Sequence, residues 1–303
     1  MSVKYLTIDN CDHLNFVNDN YYLMAWGMGD AIDAVLFLES RSPVPYKILC
    51  PPRNFGAIKF VLENFIPGTA KCTQVDVYPL NDGYPIPQDE VLMSCNGFYP
   101  QDINILNQAH TLGKLKVAHM PPKLWCHLQN LQESGILEKI NSYANIEKDI
   151  EEKTCILFPE RGDSYQLDDI FWEDIVQKMK SKGYRVFVNW TKKTDVFLNQ
   201  KTFKDTEKLD KFELDDLLKY CSRHKNLVTI GQISGIFVLL KYFHFLKIAF
   251  FVDYHDPKMK DPTRALYESC SLSDGIYTRN MIEFKLSKFD IKQLDFLIGE
   301  NND

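Results

Sequence analysis

Short apolar runs alternate with helix-like segments along the chain, and this alternation limits the folds that the sequence can adopt. Three early runs, "YYLMAW" (21–26), "YKILC" (46–50) and "CTQVDVYPL" (72–80), have the length and composition of strands. Between them, "DAIDAVLFLES" (30–40) and "FGAIKFVLENF" (55–65) carry apolar residues at helical spacing. Such a series predicts an α/β fold, in which right-handed crossovers build a mostly parallel sheet with helices on both faces.

The same alternation restarts in the second half of the chain, after a polar run. "NSYANIEKDIEEKT" (141–154) has no hydrophobic periodicity, and we place a linker at 143–153, before the strand in "CILFPERG" (155–162). We therefore predict two Rossmann-like, doubly wound domains, an N-terminal one at 1–148 and a C-terminal one at 149–303. Two such domains that face each other leave a cleft, and ligands of these sheets bind at the carboxyl ends of the strands.

Two further segments do not fit the alternation of strands and helices and are considered separately. "PPKLWCHLQNLQESGILEKI" (121–140) begins with two prolines and continues with helical periodicity, so we predict one helix that closes the first domain. "TKKTDVFLNQKTFKDTEKLDK" (191–211) is a long polar connection, which is either a solvated surface segment or a mobile loop over the cleft.

Composition excludes several classes of function. The net charge of -6 and a pI near 5.7 provide no basic surface for a nucleic acid. The eight cysteines are spread singly, without a zinc-ligand spacing, which predicts free thiols in a reducing cytosol. No signal peptide or uninterrupted membrane span is visible. We expect a cytoplasmic protein without a nucleic acid partner.

The joint between the first strand and the first helix holds Gly27, Gly29 and Asp30 at the carboxyl end of the strand. Glycines there permit close approach by a ligand or another backbone, and the free N–H groups of the helix favour anions. Asp30 suits two roles, a helix N-cap or a catalytic carboxylate. The glycine spacing lacks the third glycine of a dinucleotide fingerprint. Residue types alone leave both roles open.

Two strand ends in the second half carry polar residues that suit a nucleotide. Arg161 follows the first strand there, where it would form a bidentate contact with a phosphate or pair with a neighbour such as Asp163. Asn189 and Thr191 follow the next strand and suit a base or ribose, with loop capping as the alternative. Both interpretations remain open for each position.

"TIGQISGIF" (229–237) is the most informative strand end, because Ser234 and Gly235 stand between a strand and an apolar helix. Free amides and a hydroxyl at a helix start bind phosphate without a metal. An N-cap role for Ser234 explains part of this pattern, but not Gly235, since glycine in a first turn weakens the helix. A histidine flanked by Asp253 and Asp256 suits loop capping better than a metal site, so we predict no metal.

Three segments together resemble bacterial GT-B glycosyltransferases: "GMGDAIDAVLFL" (27–38), the run from "ILFPERG" to "FVNWT" (156–191), and the run from "FELDD" to "VLLKY" (212–242). The nearest type is the ADP-heptose:lipopolysaccharide heptosyltransferase family with its relatives in surface-polysaccharide clusters. The resemblance implies a GT-B fold and inverting, metal-independent transfer from a nucleotide diphosphate sugar. The acceptor would be a hydroxyl of a lipopolysaccharide, lipooligosaccharide or capsule glycan.

The resemblance also implies roles for individual residues. Asp30 would be the general base on the acceptor hydroxyl, in an acceptor-side domain. Related transferases often carry Arg-Ser-Gly where this chain has Ile233-Ser234-Gly235, and Gln232 could replace the missing charge by a hydrogen bond. The implied donor-binding residues are Arg161, Asn189, Thr191, Gln232, Ser234 and Gly235.

The resemblance implies no cofactor besides the nucleotide-sugar donor, a glycan or glycolipid acceptor, and peripheral contact with the cytoplasmic face of the inner membrane. Two other interpretations remain. One is a sugar-nucleotide epimerase of the same fold, and the other is a non-catalytic binding protein that keeps the architecture.

Overall fold

A computed structural model describes two compact units, Met1–Tyr143 (unit 1) and Ala144–Asp303 (unit 2). The described residues are 6–7, 20–24, 28–41, 45–68, 70–77, 90–94, 116–119, 128–159, 167–190, 201–210, 212–251 and 280–299.

The described part of unit 1 contains one six-stranded sheet, and every pair of neighbouring strands in it is parallel. The spatial order is β1-β6-β5-β2-β3-β4, so the order reverses between β2 and β5. This reversal is the switch point of a doubly wound sheet. The strands are β1 Leu6–Thr7, β2 Asn20–Met24, β3 Tyr46–Cys50, β4 Cys72–Val77, β5 Glu90–Ser94 and β6 Lys116–His119.

The described part of unit 2 also contains a six-stranded parallel sheet. Its order is β12-β11-β10-β7-β8-β9, which is the 3-2-1-4-5-6 order of a Rossmann sheet with its switch point between β7 and β10. The predicted fold class, two doubly wound α/β units, is therefore confirmed. The strands are β7 Thr154–Phe158, β8 Arg185–Asn189, β9 Glu207–Leu209, β10 Leu227–Gln232, β11 Leu246–Phe251 and β12 Met281–Lys285.

Amphipathic helices connect these strands and bury their apolar faces. In the helix of residues 169–181, for example, Trp172, Ile175 and Met179 are buried, and the Asp168 side chain caps the helix by accepting from the Ile170 N–H. No helix in the described ranges is long and apolar enough to cross a membrane. The helices are α1 Met28–Arg41, α2 Pro52–Asn64, α3 Leu128–Glu133, α4 Ile136–Ala144, α5 Asp169–Ser181, α6 Leu214–Ser222, α7 Gly235–Leu240 and α8 Gln293–Gly299.

The prediction of one helix at 121–140 is wrong, because its described part forms two helices, α3 and α4. Gly135 separates them, with a positive φ of 73° that favours glycine. Its N–H donates to the Gln132 carbonyl, which closes the end of α3. Residues 121–127 lie outside the described residues.

The polar connection predicted at 191–211 is also more ordered than its composition indicates. Its described part, 201–210, forms turns and the edge strand β9. The Phe203 side chain is 2% exposed and packs against the rings of Trp172 and Trp190. Phe203, the buried Leu209 and the pairing of β9 with β8 thus anchor this part of the polar segment to unit 2.

Candidate functional site

The carboxyl ends of β7 and β10 lie side by side at the switch point of unit 2. Their register pairs Gly231 with Phe158, so the next residues, Gln232 and Pro159, meet at the carboxyl end of these two central strands. The Gln232 Nε2 donates a 3.0 Å hydrogen bond to the Pro159 carbonyl oxygen. This contact joins the two strands at the position where doubly wound sheets bind ligands.

The Gln232 side chain is fully buried, with only one end of its amide bonded. A carbonyl oxygen can only accept, so the Pro159 carbonyl requires the Nε2 of Gln232 to face it. The Oε1 atom is left without a hydrogen-bond partner among the described residues. An unpaired acceptor of this kind costs about 1–3 kcal/mol when buried. Gln232 therefore retains a buried acceptor at the strand end.

Ser234 lies at the N-cap position of α7, but its side chain does not cap the helix. Its carbonyl oxygen accepts from the N–H groups of Phe237 and Val238, at 3.0 and 3.3 Å. The Ser234 Oγ is buried and has no partner in the described part of the chain. The N-cap explanation for this hydroxyl is therefore wrong. Gly235 begins α7, as the sequence pattern predicts.

Gly231 brings the start of α7 close to the strand ends. A Cβ atom built on Gly231 would lie 2.6 Å from Phe237 Cε2 and 2.7 Å from the Phe158 carbonyl oxygen. The rings of Phe158 and Phe237 meet edge to face, with centroids 5.8 Å apart. Only glycine permits this approach between β7, β10 and α7.

Ile233, where the resembling transferases often carry arginine, is a core residue in this chain. Its side chain is 7% exposed, and its N–H donates to the Phe250 carbonyl, which extends the pairing of β10 with β11. The missing arginine is thus replaced by apolar packing.

The end of β8 carries a half-buried Asn189 followed by Trp190. The indole is only 6% exposed, because it packs against Phe203 and lies 3.7 Å, ring centroid to Nζ, from Lys208. Trp190 is therefore a core residue of unit 2, whereas Asn189 stays a candidate for contact with a base or ribose. Lys208 is an exposed cation that the sequence analysis missed, because its cation–π partner Trp190 lies 18 residues earlier, directly after β8.

In unit 1, the predicted acceptor-side residues follow β2 at the switch point between β2 and β5. Helix α1 begins at Met28, so Gly29 and Asp30 lie in its first turn. The N-cap interpretation of Asp30 is therefore wrong, because the helix starts before it.

Three of the predicted site residues, Gly27, Arg161 and Thr191, lie outside the described residues, as does the segment 253–256.

The described residues contain no group of three or more His, Cys, Asp or Glu side chains that could hold a metal ion. The described cysteines are free thiols, as predicted. Burial raises the pKa of Cys50 to about 11, and the pKa values of Cys72 and Cys221 to about 12. Thiols with these pKa values are protonated at neutral pH and are poor nucleophiles.

Two doubly wound parallel sheets in one chain are the architecture of the GT-B class of fold that the resemblance predicts. Comparison with solved structures agrees. Escherichia coli heptosyltransferase WaaC with ADP-2-deoxy-2-fluoro heptose is similar over 93% of this chain and 99% of that chain, with a TM-score of 0.54 and 11% identity.

Two further structures show the same similarity. A glycosyl transferase family 9 protein from Veillonella parvula matches 95% of this chain and 91% of that chain, with a TM-score of 0.52 and 10% identity. E. coli ADP-heptose LPS heptosyltransferase II matches 94% of this chain and 100% of that chain, with a TM-score of 0.50 and 10% identity. At these identities the similarity establishes the fold. No protein-family model matches the sequence, and no curated protein matches it.

Proposed function

We propose that this protein is a glycosyltransferase that moves a sugar from a nucleotide diphosphate sugar to a hydroxyl of a bacterial surface glycan. The observation that carries the proposal is the pair of buried polar atoms without described partners, Gln232 Oε1 and Ser234 Oγ, next to the switch point of unit 2. The fold of solved heptosyltransferases, one of them with an ADP-sugar analogue, supports it.

In the proposed mechanism, the transfer inverts the anomeric centre in one displacement. Asp30 accepts the proton of the acceptor hydroxyl as its oxygen attacks the anomeric carbon, and the bond from that carbon to the diphosphate breaks. General base catalysis of this kind contributes about 10²- to 10⁴-fold. The position of Asp30 after β2, at the switch point of unit 1, supports this role.

The donor would be held by unit 2. The backbone amides at Ser234 and Gly235, with the Arg161 guanidinium, would stabilise the negative charge of the leaving diphosphate, which makes the scheme independent of a metal. Asn189 and Thr191 would contact the nucleoside. An enzyme of this kind would act in the cytoplasm, in peripheral contact with the inner membrane when its acceptor is a glycolipid.

The first experiment is a thermal shift screen with UDP, GDP, ADP and CMP. A rise in melting temperature with one nucleotide is expected, because a ligand that binds only the folded state stabilises it by mass action. The absence of a shift with all four would contradict the donor site and favour a non-catalytic binding protein.

The second experiment measures turnover of nucleotide sugars by the wild type, Asp30→Asn and Asp33→Asn. Asp30→Asn should lower kcat by about 10²- to 10⁴-fold and leave nucleotide binding intact. Asp33→Asn is the matched control, because it removes a carboxylate from the same helix one turn further on. Equal rates for the wild type and Asp30→Asn would rule out the base assignment, and turnover without an acceptor would indicate an epimerase.

A further inference from the structure

The buried amide of Gln232 differs in hydrogen-bond chemistry from the rest of the donor site. Backbone amides and arginine donate, and they suit phosphate oxygens, which accept at neutral pH. The Gln232 Oε1 can only accept. A phosphate oxygen therefore cannot satisfy this atom, whereas a hydroxyl or amino group can.

The orientation of the amide is set before any ligand binds. Gln232 is 0% exposed, and its Nε2 is held by the Pro159 carbonyl at 3.0 Å. Rotating the amide by half a turn would place Oε1 against the Pro159 carbonyl oxygen, and two acceptors repel each other. Oε1 therefore stays on the side of the amide that faces away from Pro159. Because Gln232 is fully buried, a ligand group that donates to Oε1 would displace the groups that cover this atom, and it would then meet an acceptor whose orientation is already fixed.

A second buried polar atom lies two residues further along. The Ser234 Oγ also has no hydrogen-bond partner in the described residues, although its residue begins the turn into α7. Most buried polar side-chain atoms in folded proteins have a partner. Other buried atoms of the described residues, such as Thr229 Oγ1, also lack a partner. Gln232 Oε1 and Ser234 Oγ differ from them in lying at the carboxyl end of a switch-point strand, where ligands of doubly wound sheets bind.

We propose that Gln232 is a specificity-determining residue, whose Oε1 accepts a hydrogen bond from a hydroxyl or amino group of the nucleotide-sugar donor. This assignment rests on the proposed function. It gives Gln232 a role different from replacing a missing phosphate-binding charge, because the acceptor atom selects the nucleoside or the sugar.

The test measures dissociation constants of the full chain for three probes: the nucleoside diphosphate that gives the largest rise in the thermal shift screen, the matching nucleotide sugar, and inorganic pyrophosphate. Gln232→Met keeps the length of the side chain and removes the acceptor. We expect binding of the nucleotide sugar to weaken about tenfold or more. Binding of pyrophosphate should change less than twofold, since it offers no hydroxyl or amino donor.

Loss of affinity with the nucleoside diphosphate places the donating group on the base or ribose. Loss with the nucleotide sugar alone places it on the transferred sugar. Both results support the proposal. Unchanged affinity for both nucleotides, or equal weakening of pyrophosphate, overturns it.

Thr229→Val is the matched control, because Thr229 is equally buried in β10 and its Oγ1 also has no described partner. Thr229 lies inside the strand and not at its carboxyl end, so the variant should bind all three probes like the wild type. A loss of nucleotide affinity in Thr229→Val equal to that in Gln232→Met would show that the effect is one of folding, and would overturn the proposal.

Gln232→Glu tests the role in a variant that keeps the shape of the amide. A carboxyl group buried against a carbonyl favours its protonated form, which donates to Pro159 and presents an acceptor oxygen as glutamine does. We expect its nucleotide-sugar affinity to lie closer to the wild type than that of Gln232→Met. Equal loss in both variants overturns the proposal. A wild type that binds no nucleotide in the screen would instead refute the proposed function itself.

Discussion

Glu39 in unit 1 and Gln232 in unit 2 are both buried polar side chains, and they differ in how fully they are bonded. The two carboxylate oxygens of Glu39 accept from the backbone N–H groups of Lys71 and Cys72, each at 2.8 Å. Gln232 uses only its Nε2, and its Oε1 has no partner among the described residues. The fully bonded side chain joins a helix to a strand, whereas the partly bonded one lies where a ligand is expected.

The largest effect expected is that of Glu39→Ala on stability. The substitution leaves the N–H groups of Lys71 and Cys72 without acceptors, so the free energy of unfolding should fall by about 3 kcal/mol. Gln232→Met, which removes one hydrogen bond together with one unpaired acceptor, should lower it by about 1 kcal/mol or less. Urea denaturation of the three proteins measures both values. Equal losses would remove the distinction between the two side chains.

Gly231→Ala tests whether the strand end next to Gln232 is as closely packed as its contacts indicate. Its new methyl group would lie 2.7 Å from the Phe158 carbonyl oxygen, which is backbone. Overpacking of this kind should lower the free energy of unfolding by about 2 kcal/mol. Tryptophan fluorescence during urea unfolding can follow it, since Trp172 and Trp190 are buried in unit 2.

Gly56→Ala in unit 1 is the control for this glycine. Gly56 lies in α2, and nothing stands within 4 Å of a Cβ atom built on it. Alanine favours a helix more than glycine does, so the variant should be more stable by about 0.5–1 kcal/mol. If Gly231→Ala and Gly56→Ala changed the free energy of unfolding in the same direction, the close packing around Gly231 would be contradicted.

His224 extends the comparison to a buried group that titrates. Its Nδ1 lies 2.9 Å from the Tyr220 carbonyl oxygen, and its Nε2 has no partner in the described ranges. Burial lowers the pKa of the imidazole, because desolvation disfavours the charged form. The folded state thus binds the proton less tightly than the unfolded state, whose pKa is about 6.5.

The stability that neutral His224 contributes is therefore present above about pH 6.5 and lost as the pH falls through the lowered pKa of the folded state. In His224→Asn, the amide N–H can still donate to Tyr220 but does not titrate. The unfolding free energy of the wild type should fall more steeply than that of the variant below pH 6.5. If the free energies of unfolding of the two proteins changed in parallel from pH 8 to pH 5, the lowered pKa of His224 would be contradicted.

The smallest effect is expected for an exposed ion pair, which sets the baseline for the buried groups. Lys219 Nζ lies 2.6 Å from Asp215 Oδ2 on α6, and the two side chains are 50% and 41% exposed. Lys219→Gln should lower the free energy of unfolding by about 0.5 kcal/mol or less. This loss should disappear in 1 M salt, because the charges are screened. A loss above 1 kcal/mol would show that exposure does not explain the difference in stability effect between this ion pair and the buried polar groups.

Several inner strands, such as β3, and the edge strand β4 were predictable from the sequence, whereas the shortest edge strands were not. The run "YKILC" coincides with β3 residue for residue, because a parallel strand buried on both faces appears as a continuous apolar run. The strands β1 and β9 have two and three residues, which is too short for any periodicity. The break at Gly135 was missed because helical periodicity continues on both sides of it.

The sequence by itself determined that the chain forms two doubly wound units, and that Asp30, Ser234 and Gly235 follow strands. Glycines and polar residues that interrupt an apolar run mark a strand end, and this information is local. Only the tertiary structure decided which strands are neighbours, and hence that Gln232 meets Pro159 across a separation of 73 residues. Strand order depends on how the helices pack on the two faces of the sheet, which no local pattern encodes.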